Sequence, residues 1–142
     1  MTFTELNSVE HYIIHQLTGV NLNASNNRIS EPQDPFGAQW AYKSAQDLNR
    51  GVNEVLVESD LKDALIKLNP EINQNSELAD EVIYKLRAIL ISVNQVGLVK
   101  ANEEFYKWLT GEKTMPFGEN SRHVPVRLID FEDLENNRYI VT

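Results

Sequence analysis

Apolar residues recur at intervals of three and four along much of the chain, which is the spacing of amphipathic helices. The first such segment covers residues 4–18 and is followed by Gly19, a residue that commonly ends helices. Three further segments follow at residues 61–68, 78–90 and 98–109. The pattern therefore predicts an N-terminal helix and a group of three further helices.

The predicted helices have recognisable ends. Ser59 or Asp60 is placed to cap the second helix. Asn69-Pro70 ends that helix, because the residue before a proline avoids the helical conformation. Ser76 is placed to cap the third helix, and Gly97 separates it from the fourth. These signals indicate separate helices rather than one long one.

The last nineteen residues alternate in a different way. Apolar side chains occupy every second position at Val124, Val126 and Leu128, which is the period of a strand. Residues 132–137 have the composition of a turn, and residues 138–142 return to β-branched and aromatic side chains. We therefore expect a β-hairpin. Because its second strand stops at the end of the sequence, we interpret the chain as a piece of a longer protein.

Three stretches of this sequence carry a family resemblance. Leu128-Ile-Asp-Phe131 is followed, after the acidic turn, by Asn137-x-Tyr139-x-Val141. Upstream and in the same order lie Leu61-x-x-Ala64-Leu65-x-x-Leu68-Asn69-Pro70 and Ala101-Asn102-x-x-Phe105-x-x-x-Leu109-x-Gly111. Together they resemble the N-terminal part of the restriction (R) subunit of type I restriction-modification enzymes.

The helical pattern and the resemblance together predict an α/β fold. The N-terminal helix and the three further helices are expected to pack on the beginning of a mixed β-sheet, as an incomplete restriction-endonuclease-like fold. The resemblance implies that the catalytic Asp and Glu-x-Lys of this PD-(D/E)xK nuclease family lie beyond Thr142. No catalytic residue is then expected within residues 1–142, and this piece alone is expected to be inactive.

For the full-length protein, the resemblance implies ATP-dependent DNA translocation and Mg²⁺-dependent double-strand cleavage. Its implied partners are DNA and the modification and specificity subunits, and its implied cofactors are Mg²⁺ and ATP. The sequence itself contains no glycine-rich phosphate-binding motif.

Glu10 is the residue of this chain that the resemblance places near a metal. Nucleases of this fold often bring an acidic residue from the first helix toward the metal, and an exposed or capping carboxylate is the alternative explanation. His11 and His15 are four residues apart and share a helix face, which is a spacing found in metal sites. A solvated helix face explains the two histidines more simply.

Carboxylates are concentrated in the predicted turn, at Asp130, Glu132, Asp133 and Glu135. Oxygen ligands of this kind suit Mg²⁺ or Ca²⁺. However, the spacing differs from that of a calcium-binding loop, and no lysine completes a nuclease set. We therefore expect a solvated turn, whose charge is balanced by Arg122, Arg127 and Arg138.

The length of 142 residues fits a single domain over residues 1–142. Residues 20–37 are rich in asparagine and proline and are expected to form a flexible loop. Trp40 and Tyr42 lie two positions apart, which suits one face of a short extended segment.

The net charge is −8, from 13 basic and 21 acidic side chains, which argues against binding nucleic acid by charge alone. The absence of cysteine excludes disulfides and thiolate metal sites, and it suits a reducing cytoplasm. No apolar stretch approaches the ~20 residues needed to span a bilayer, so no membrane association is expected.

Three functional classes remain open at this point. The favoured class is the N-terminal piece of an R subunit. The alternatives are a non-enzymatic protein-interaction module and a complete small enzyme that uses Glu10, His11, His15 or the acidic cluster around Asp130. An Asp strand followed by Glu-x-Lys after Thr142 would distinguish the first class from the other two.

Overall fold

The structure is a computed structural model that describes residues 9–20, 22 and 40–142. The chain forms two compact units, one made of Met1–Leu48 with Arg138–Thr142 and the other of Asn49–Asn137. The expected loop over residues 20–37 lies almost entirely outside the described residues. Residues 4–8 of the first predicted helix also lie outside the described residues.

The elements follow one another as a mixed α/β chain. The helices are α1 (His11–Thr18), α2 (Glu58–Leu68), α3 (Pro70–Gln74), α4 (Glu77–Val96) and α5 (Leu98–Leu109). The strands are β1 (Trp40–Tyr42), β2 (Thr114–Met115), β3 (Val124–Pro125) and β4 (Tyr139–Val141). Single 3-10 turns occupy Ala45–Asp47 and Leu134–Asn136, and a turn with left-handed residues lies at Glu119–Ser121. The predicted α/β class is confirmed.

The first unit contains α1 and a parallel pair of strands. β1 and β4 pair in the register Trp40 with Tyr139 through Tyr42 with Val141. The Trp40 and Tyr139 rings lie 5.2 Å apart between centroids. Gly19 ends α1 in the left-handed conformation, as predicted, and its N–H donates to the carbonyl of His15. The predicted extended segment at residues 40–42 is confirmed as β1.

The second unit is a helical group around one apolar core. The predicted stripes on α2, α4 and α5 supply most of this core, together with Ile72 of α3 and apolar residues from the segment that follows α5. Its buried members are Leu65, Ile72, Ala79, Val82, Ile83, Leu86, Trp108, Met115 and Val126. α4 is the longest helix, with 20 residues, and it contacts α2, α3 and α5. The prediction of three further helices in a packed group is therefore confirmed, with the short α3 in addition.

Two of the predicted helix caps are wrong in detail. α2 begins at Glu58, so Ser59 and Asp60 lie inside its first turn, where the carboxylate of Asp60 suits the positive end of the helix dipole. Ser76 precedes α4 as predicted, but its side chain makes no capping bond. The side-chain oxygen of Asn75 accepts a hydrogen bond from the N–H of Glu77 instead, at 3.3 Å.

The predicted hairpin over residues 124–142 is wrong. β3 pairs antiparallel with β2, so that Val124 lies opposite Met115. β4 pairs in parallel with β1, and both of these strands belong to the first unit. Residues 130–137 form a loop that closes on itself through side-chain hydrogen bonds, as described below. In the described residues the two ladders are separate sheets of two strands each rather than one mixed sheet.

The connection between β2 and β3 contains a tight turn in which Ser121 has a left-handed backbone conformation. Asn120 and Ser121 have φ angles of 55° and 59°, and the N–H of Arg122 donates to the carbonyl of Glu119. Two successive left-handed residues define a type I′ turn, which favours asparagine followed by glycine. Ser121 therefore occupies a position that glycine fits better.

Ser121→Gly is expected to raise the free energy of unfolding by about 1 kcal/mol, because the left-handed conformation costs an L-residue about 1–2 kcal/mol. Urea denaturation followed by circular dichroism measures the change. Ser92→Gly, inside α4, is the matched control and is expected to destabilise. A Ser121→Gly variant that is less stable than the wild type would contradict this assignment of the turn.

Candidate functional site

The acidic stretch predicted as a turn forms a closed loop, here called the 130–137 loop. The Asp130 side chain is its centre. One carboxylate oxygen accepts hydrogen bonds from the N–H groups of Glu132 and Asp133, both at 3.0 Å. The other oxygen accepts from the side-chain amide of Asn136 at 3.0 Å. Asp130 is only 7% exposed, so its carboxylate organises the loop from within.

Asn137 closes the base of this loop. Its side-chain oxygen accepts from the N–H of Asp130 at 2.8 Å, and its side-chain nitrogen donates to the carbonyl of Asp130 at 2.7 Å. The ammonium group of Lys67 in α2 donates to the carbonyl of Asn136 at 2.7 Å. The loop is thus fixed both to itself and to α2.

Asn69 holds the segment that leads into the loop. The N–H of Arg127 donates to the Asn69 side-chain oxygen at 2.7 Å, and the Asn69 side-chain nitrogen donates to the Arg127 carbonyl at 2.8 Å. The same nitrogen donates to the carbonyl of Leu65 at 2.9 Å. Asn69 is 4% exposed. Its carboxamide therefore satisfies the backbone of Arg127 in the way that a neighbouring strand would.

The acidic residues do not converge on one point. Both oxygens of Asp130 are occupied by hydrogen-bond donors, whereas Glu132, Asp133 and Glu135 are exposed. The expectation of a solvated turn is right for these three residues and wrong for Asp130, which is buried because it caps backbone N–H groups. The expected charge balance is confirmed for one arginine, since Arg127 lies 3.4 Å from Glu132. Arg122 closes the turn that begins at Glu119.

The hydrogen bonds to Asp130 have an electrostatic consequence. The N–H of Asp133, then the amide of Asn136, hold the pKa of the Asp130 carboxyl below its ordinary value of 3.8. A carboxyl whose pKa is depressed on folding stabilises the fold at pH values above the unfolded-state pKa. That contribution is lost as the pH falls through the folded-state pKa.

Asp130→Asn is therefore expected to lower the urea midpoint at neutral pH, because an amide accepts fewer hydrogen bonds than a carboxylate does. The variant should also lose part of the acid-induced fall in stability that the wild type shows below about pH 4. Urea titrations at several pH values measure both effects. Parallel curves for wild type and variant across the acid range would contradict the role assigned to Asp130.

The metal candidates at the start of the chain lie on α1. Glu10 directly precedes the helix and is exposed, and His15 is exposed on it. His11 is partly buried. Within residues 9–20, 22 and 40–142, no group of three or more His, Asp or Glu side chains is placed to hold a metal ion. With the Asp130 oxygens engaged, the described residues do not by themselves fit a Mg²⁺ ion.

The described residues of the second unit line clefts that include the following two. One has a volume of about 320 Å³ and lies beside Asn69, between the start of α3 and β3; it is lined by residues that include Pro70, Glu71 and Pro125. The other, about 570 Å³, lies along the outer face of α5 and is lined by residues that include Val99, Tyr106 and Lys107. The side-chain nitrogen and oxygen of Asn69 beside the first cleft already hydrogen-bond to the backbone of Leu65 and Arg127.

The sequence did not reveal that the side chains of Asn69 and Asn137 hold the backbone of distant residues in place. Both belong to the stretches that carry the family resemblance, and the sequence pattern at Asn69 indicates only the end of a helix. An asparagine directly before proline at a helix junction is a signal for side-chain to backbone bonding.

Among the described residues, no helix combines the length and the apolar character that a bilayer crossing requires.

Comparison with known proteins gives one match. A family model described as "Type I restriction enzyme R protein N terminus" matches residues 23–142. The match covers the Asn69 junction and the whole of the 130–137 loop. The chain belongs to this family of type I restriction enzyme R protein N-terminal regions. No match was found among curated proteins or among solved structures.

Proposed function

We propose that this chain is the N-terminal part of the endonuclease domain of a type I restriction R subunit. The full-length subunit then moves DNA by ATP hydrolysis and cuts both strands in the presence of Mg²⁺. The observation that supports this proposal is the family match over residues 23–142. The mixed α/β architecture is compatible with a restriction-endonuclease-like fold, which is part of the proposal.

The proposed division of labour follows from the site. Asp130, the most deeply buried carboxylate among the described residues, accepts three hydrogen bonds that fold a loop, and we assign it this structural role rather than a metal-binding one. We therefore place the catalytic Asp and Glu-x-Lys beyond Thr142, and we keep Glu10 as the candidate that approaches the metal from α1. When Mg²⁺ is bound in such a site, it polarises the phosphate and activates water.

The proposed partners are DNA and the modification and specificity subunits, and the proposed compartment is the cytoplasm. The net charge of −8 supports a role in which this part of the subunit does not attract DNA by charge alone. DNA is then engaged through the remainder of the subunit and through the partner subunits, with ATP bound in the motor domains.

Phage restriction in cells tests this proposal. A restriction-deficient host receives the full-length subunit together with its modification and specificity subunits, and is infected with unmodified phage. We expect plaque numbers to fall, and the fall to disappear when any one of the three subunits is omitted. Phage previously grown on the modifying host is the control and should plate normally. Normal plating of unmodified phage in the presence of all three subunits would contradict the proposal.

A further inference from the structure

We draw no further inference here: the strongest candidate, the cleft along the outer face of α5 that Val99 and Tyr106 line, is an exposed apolar helix face, and nothing in the structure shows what covers it.

Discussion

Replacing Asn69 by alanine is expected to lower the free energy of unfolding by about 3 kcal/mol. The substitution removes three side-chain hydrogen bonds from a residue that is 4% exposed. The Leu65 carbonyl keeps a bond from the backbone N–H of residue 69, at 3.2 Å. The N–H and carbonyl of Arg127 lose their Asn69 partner, and each unsatisfied group costs about 1–3 kcal/mol. Guanidinium denaturation of residues 1–142 measures the loss.

Two variants control this experiment. Asn69→Asp keeps the size of the side chain but turns its donor nitrogen into an oxygen that faces the Leu65 and Arg127 carbonyls, so it should be at least as damaging at neutral pH. Asn73→Ala removes an exposed asparagine whose side-chain bond to Ile66 is long, at 3.4 Å, and should cost less than about 0.5 kcal/mol. An Asn69→Ala variant within about 1 kcal/mol of the wild type would refute the strand-like role of Asn69.

Leu86→Ala is expected to lower the free energy of unfolding by about 3–4 kcal/mol. Leu86 is fully buried on α4 in the core cluster that includes Leu65 and Trp108. Truncation removes its burial energy and leaves a cavity, because helices on several sides hold the surrounding side chains in place. The loss is large beside the ~5–15 kcal/mol that usually separates folded from unfolded domains.

The control for the core truncation lies on the same helix. Ile91 is 73% exposed, so Ile91→Ala should change the free energy of unfolding by less than about 0.5 kcal/mol. Thermal denaturation and urea titration should rank the two variants in the same order. Equal losses of unfolding free energy for Leu86→Ala and Ile91→Ala would show that α4 does not bury the face that carries Leu86.

The helices could be predicted from the sequence because their signals are local. Leu65, Leu86 and Trp108 occupy stripes at three- and four-residue spacing, and Gly19 and Pro70 mark helix boundaries within a single turn. The exact capping residues were harder to predict from the sequence. A serine at position 59 suits a helix cap, yet the helix begins at Glu58 and its cap position is Val57, two residues before Ser59.

Strand pairing could not be predicted in the same way. Alternation identified extended character around Val124 and Tyr139 but does not specify which partner each strand chooses. β4 pairs with β1, nearly a hundred positions away along the chain, and such contacts leave no trace in a single local pattern. The acidic turn favoured the simpler hairpin, whereas Asp130 and Asn137 close that stretch into a loop.

The candidate site illustrates the same limit. The concentration of carboxylates was visible in the sequence, but the directions of their oxygens were not. Asp130 accepts from backbone N–H groups because the loop folds around it, and this structural role could not be read from the sequence. Asn69 acts on Arg127 across 58 positions, so its role emerges only when α2 and the segment after β3 are packed together.

The most direct test of the proposed function is DNA cleavage by the full-length subunit, assembled with the proposed modification and specificity subunits. Circular DNA that carries an unmethylated recognition site is incubated with Mg²⁺ and ATP, and double-strand breaks are scored on gels. We expect breaks only when both Mg²⁺ and hydrolysable ATP are present. Breaks that form without ATP, or an assembly that methylates DNA but never cuts it, would contradict the assignment of this chain to the nuclease part of a type I restriction subunit.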